Sequence, residues 1–166
     1  SLGRGNIATP DGTVKLSVSV LLTNTNNNDK PTMKGIGHEL GHALGVMHAG
    51  SFECGNVALV PLSQSCPIGA YLDPFATMGG WDTYFTYNAI HKETLGWLAL
   101  SNIQTISTSG TYTIEPIETP TAGLQTLKIP RGADSGGMDS YLYVEYRQPI
   151  GIDGLFSTDG NVNLTS

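Results

Sequence analysis

Residues 38 to 48 read HELGHALGVMH: His38, Glu39, Leu40, Gly41, His42, Ala43, Leu44, Gly45, Val46, Met47, His48. Three of the chain's 4 histidines fall in this stretch. An α-helical residue turns about 100° and rises about 1.5 Å, so His38 and His42 lie about 40° apart on one face, one turn apart. Both imidazoles then reach a single ion. Gly45 follows, and a glycine ends a helix readily because it tolerates left-handed backbone. The chain turns there and brings His48 to the same ion from another side. Glu39 sits one step from His38, beside the ion and not aimed at it.

Working outward, residues 31 to 44 (PTMKGIGHELGHAL) read as the whole helix, with Asp29 as N-cap and Pro31 in the first turn. Met33, Ile36, Leu40 and Leu44 recur at helical spacing and define one apolar stripe. The stripe lies opposite the histidines, so it is expected to pack on the core while they face a cleft. Gly35, Gly37 and Gly41 each cost about 1 kcal/mol relative to alanine inside a helix. That cost points to something approaching the backbone closely.

Three neutral imidazoles about 2.0–2.1 Å from an ion describe a catalytic zinc site whose fourth position is open. Neither Cys54 nor Cys66 is spaced to supply a fourth ligand nearby. A carboxylate at Glu39 is suited to take a proton from the attacking water and pass it to the leaving nitrogen of a peptide.

His38, Glu39, His42, Gly45 and His48 together spell HExxHxxGxxH, which resembles the signature of the metzincin metallopeptidases. The resemblance implies a methionine turn beneath the metal ligands. YLDPFATMGG, residues 71 to 80, offers Met78 for it, with Thr77 and Gly79 shaping the turn. DPFATMGGW followed by YNAIHKETLGWL is most similar to the gametolysin and immune inhibitor A types of secreted peptidase. The resemblance implies a secreted zinc endopeptidase, with Glu39 catalytic and Trp81, Gly79 and Gly80 lining a substrate pocket. Two departures stand out. Gly80 occupies the position where some metzincins carry a tyrosine, and only 37 residues precede His38, fewer than the clan's usual upstream strands and helix require. The catalytic part is therefore expected to be incomplete at its N-terminus, and the final GNVNLTS reads as mid-domain sequence. A zinc-bearing binding or adhesion module without proteolysis is the competing reading, and retention of Glu39 weighs against it.

The rest of the chain is loop-rich and β-rich. VKLSVSV, residues 14 to 20, alternates like a half-buried strand. TNTNNND, residues 23 to 29, leaves Ca²⁺ open but matches no calcium-ligand spacing. Cys54 and Cys66 lie in an irregular stretch from about 49 to 82, and a disulfide between them is expected. A second helix is expected over 83 to 97, capped by Asp82 or Thr83, with His91 on its buried face. QTISTSGTYTIEPI reads as a hairpin around Ser109-Gly110, and LQTLKIP and YLYVEYRQ read as strands. The expected fold is α+β: a metzincin-like catalytic part over 1–100 and a β-rich part over 101–166.

Composition narrows the partners. The 166 residues carry a formal net charge of −6, a pI near 5.0 and only 13% charged residues. No Lys/Arg cluster exists, which argues against nucleic acid or an anionic membrane. Apolar runs are short and broken, so no spanning segment is expected. Low charge, abundant Asn, Thr and Ser and paired cysteines fit an extracellular protein acting on protein or peptide.

Overall fold

A computed structural model of the chain describes residues 4–17, 19, 33–57, 59–80, 85–134 and 136–157. Asp29, Pro31, the 23–29 loop, Trp81, Asp82 and Thr83 lie outside the described residues. The architecture is mixed α+β, with short helices and three small sheets among the described residues.

Strands β1 (Arg4–Thr9) and β2 (Gly12–Ser17) form an antiparallel hairpin closing at Thr9↔Gly12, where Gly12 takes φ +128°. Every β2 residue is exposed, so the alternation of Val14 and Leu16 does not mark a buried face as expected.

Helix α1 spans Met33–Leu44. Its orientation corrects the expectation from the apolar stripe: Met33, Ile36, Leu40 and Leu44 are exposed, while Lys34, His38 and Gly41 are buried. The glycines explain the reversal. A Cβ at Gly37 would touch Thr77 Cγ2 at 3.3 Å, and one at Gly41 would collide with Met78 Sδ and press on Tyr87 at 3.1 Å. The Tyr87 hydroxyl donates to Gly37 O at 2.5 Å. Close docking through the glycine side decides which face turns inward.

Beyond α1, β3 (Ser51–Phe52) and β4 (Ile68–Gly69) pair antiparallel. Between them the Cys54–Cys66 disulfide closes the loop at a Cα–Cα distance of 5.3 Å, and Glu53 N donates to Pro67 O. The second helix, α2, covers only Ala89–Thr94. Asn88 is its cap, its side chain accepting from His91 N at 3.1 Å, in place of the expected Asp82 or Thr83. Residues 85–88 are not helical because they are already bonded elsewhere. Thr77 donates through its N to Thr86 O and through its hydroxyl to Phe85 O. Gly96 at φ +69° ends the helix before Trp97.

In the C-terminal half, β5 (Ile103–Thr105) pairs parallel with β6 (Thr126–Ala133), and β6 pairs antiparallel with β7 (Asp139–Glu145). The hairpin expected around Ser109-Gly110 does not form. Side chains satisfy the 115–125 backbone instead: Asn102 Nδ2 donates to Thr121 O and Gly123 O, and Gln125 Nε2 to Pro116 O and Thr119 O. A loop held this way has no need of a strand partner.

Two apolar clusters organise the molecule. Val46, Ala49, Ala76 and Met78, with Tyr87 and Leu95, lie under α1. Ala89, Leu98 and Ile117, with Ile103 and Tyr143, join α2 to the three-stranded sheet. The second cluster includes residues from both sides of position 100.

Candidate metal centre

His38 and His42 project from α1, and His48 follows the turn that ends it. Gly45, at φ +108°, sits past the last helical residue. Val46 N donates to Gly41 O at 3.1 Å and Gly45 N to His42 O at 3.1 Å, the paired bonds of a Schellman terminus. This terminus also orients a ligand, because His42 Nδ1 lies 3.0 Å from Val46 O. His38 Nδ1 lies 3.0 Å from Thr77 O. A backbone carbonyl can only accept, so both Nδ1 atoms carry the proton and both Nε2 atoms present lone pairs.

The lone pairs converge. One ligand nitrogen from each of His38, His42 and His48 lies within 4.8 Å of the others, and His42 Nε2 is 2.9 Å from His48 Nε2. Tetrahedral bonds of about 2.0–2.1 Å place nitrogens roughly 3.3 Å apart, so the 2.9 Å pair must open slightly and the widest pair must close by about 1.5 Å for the trio to share one ion. His38 is buried and the other two half-buried. Burial, more than any neighbour, lowers the pKa of His38, against the Thr77 carbonyl, which raises it; the His48 pKa is lowered by burial and then by His42. Rings kept neutral are the form that binds a metal.

Met78 is fully buried and packs against α1 at Gly41. The turn that presents it is closed by Gly79 N donating to Ala76 O at 2.9 Å, and Met78 O accepts from Ala49 N, next to His48, at 2.8 Å. A Cβ at Gly79 would collide with Asp73 O, and Gly80 N donates to that oxygen at 3.0 Å. Glu39 is half-buried, and its charge acts on both His38 and His48. Trp81 lies outside the described residues. A cavity of about 410 Å³ adjoins His48, walled by the 45–50 loop, Asp73, Asn88 and His91, with neither Gly79 nor Gly80 lining it. His91 is buried there, apart from the metal-ligand trio.

Three contributors escaped the sequence reading. Val46 was available in principle, since a Schellman terminus after Gly45 brings its carbonyl back to the helix. Thr77 reads in the sequence as a turn-shaping residue alone, yet its carbonyl holds His38. Tyr71, whose ring centroid lies 4.0 Å from that of His48 and 6.1 Å from that of His38, has no local signal at all. No protein-family model matches the chain, and no curated protein or solved structure is found to match it.

Proposed function

We propose that this chain carries the catalytic centre of a secreted zinc-dependent endopeptidase. The observation supporting it most strongly is the convergence of three imidazole nitrogens, two of them oriented by backbone carbonyls, beside the carboxylate-bearing residue Glu39. The donor set fits zinc, which accepts imidazole in tetrahedral geometry, and falls one ligand short of a closed structural site. When bound, zinc would supply Lewis acidity to a scissile carbonyl and to the attacking water. His38, His42 and His48 would hold it, and Met78 would serve as an apolar floor, since a thioether is a poor zinc ligand. Glu39 would accept the proton of the attacking water and return it to the departing amine, a role that requires a half-exposed carboxylate next to the ligands and not among them. Secretion agrees with the Cys54–Cys66 bridge, and no described helix is long and apolar enough to cross a membrane.

The test is hydrolysis of casein by zinc-loaded protein with and without a chelator. Chelator-sensitive cleavage restored by zinc is expected. Stoichiometric zinc binding with no cleavage of casein, gelatin or a peptide library would favour the binding-module reading.

A further inference from the structure

The three candidate ligands are not held alike. His38 and His42 each anchor the nitrogen that faces away from the ion on a backbone carbonyl. His48 makes no such bond among the described residues; its polar contact there is the one between its Nε2 and His42 Nε2 at 2.9 Å. An imidazole without an anchor can rotate about its side-chain bonds, which costs a metal site both order and affinity. Yet His48 is the ligand with an aromatic neighbour in closest contact. The Tyr71 ring lies 4.0 Å from it, centroid to centroid, at 41°, and reaches across to His38 at 6.1 Å and 24°.

Tyr71 is itself firmly placed. It stands two residues past β4, just beyond the hairpin closed by the disulfide. Two residues on, Asp73 N donates to Ala49 O at 3.3 Å, so the backbone beside Tyr71 is tied to the residue after His48. Asp73 also accepts from Phe75 N through its side chain and from Gly80 N through its carbonyl. The ring is therefore carried on a segment that both the hairpin and the methionine-bearing turn immobilise.

We infer that Tyr71 is the positioning residue for His48, its ring packing taking the place of the hydrogen bond that orients each of the other two ligands. This rests on the metal-centre reading above. The ring face does the work, so the hydroxyl is dispensable.

The experiment is zinc affinity by chelator competition for the wild type, Tyr71→Phe and Tyr71→Leu, with His48 ring-proton NMR shifts and the visible spectrum of the cobalt-substituted protein. For the wild type, one zinc per chain and upfield-shifted His48 ring protons are expected. Tyr71→Phe should keep affinity within about threefold and preserve the cobalt spectrum. Tyr71→Leu should lose affinity by a factor on the order of 10–100, the usual range for losing a support of a metal ligand, and alter the cobalt bands. Unchanged affinity and spectrum in Tyr71→Leu would overturn the inference while leaving the metal centre standing. Failure of the wild type to bind zinc would overturn both. Should Tyr71→Leu not fold, the wild-type shifts decide: His48 ring protons at ordinary positions show no ring packed on them and refute the inference.

Discussion

At the scale of single residues, the proposed centre divides labour between groups that would hold the ion and one that would react. His38, His42 and His48 converge, while Glu39 stands one helical step aside. Replacing Glu39 with glutamine keeps volume and removes the base. We expect Glu39→Gln to bind one zinc per chain and to lose at least about 10²-fold in kcat, the lower end of what a positioned acid–base group contributes. Kinetics on the zinc-loaded variant checks this, and near-normal turnover would remove Glu39 from its role. That His38, His42 and His48 come together was legible because spacing on a helix is geometry. What holds the ligands was less so: Thr77 and Tyr71 reach the histidines from turns far along the chain.

At the scale of elements, α1 shows where sequence pattern and packing part company. Its apolar stripe satisfies helical periodicity, yet the glycine side is the one that docks. The cost of Gly41 in a helix was visible; the direction it implied was not, because Met78 and Tyr87 are distant in sequence. Gly41→Ala should therefore destabilise the fold by about 1–3 kcal/mol, the range for overpacking, despite alanine's better helix propensity. Thermal or denaturant unfolding measures this, and a stabilised variant would contradict the docking described. The short extent of α2 has a related origin, since Thr77 bonds residues 85 and 86 before a helix can claim them. Parallel pairing of β5 with β6 was hidden because Asn102 and Gln125 replace strand partners in the intervening loop. The disulfide was legible from cysteine count and context. Cys54→Ser with Cys66→Ser should cost about 3 kcal/mol by the chain-entropy model, read by the shift in denaturant midpoint.

At the scale of the whole molecule, a buried charge network links the sheet to the segment that carries the centre. Arg147 Nε lies 3.0 Å from Glu118 Oε1 and 2.8 Å from Asp153 Oδ2, and its Nη1 lies 2.9 Å from Glu145 Oε1. Asp153 Oδ1 accepts from Thr86 N at 2.7 Å and Glu145 Oε2 from Ala89 N at 2.5 Å. Thr86 in turn accepts from Thr77, whose carbonyl anchors His38. Three carboxylates surround Arg147, with Lys92 nearby. Burial first, and the Asp153 carboxylate after it, raise the Glu118 pKa above its ordinary value. A raised acid holds its proton more firmly folded than unfolded. Its contribution to stability is complete below the unfolded value and is lost as pH rises through the folded one. Glu118→Gln, which mimics the protonated form, should remove that loss and flatten stability as pH rises above the ordinary carboxylate range. Unfolding free energies of both proteins from mildly acidic to neutral pH test it, and parallel curves would refute it.

The central claim is that three imidazoles and no other protein group hold one zinc. X-ray absorption at the zinc edge of the reconstituted protein addresses it most directly. The account predicts one zinc per chain with three imidazole nitrogens and one further light atom at about 2.0–2.1 Å. Sulfur at about 2.3 Å, or fewer than three imidazoles, would contradict it.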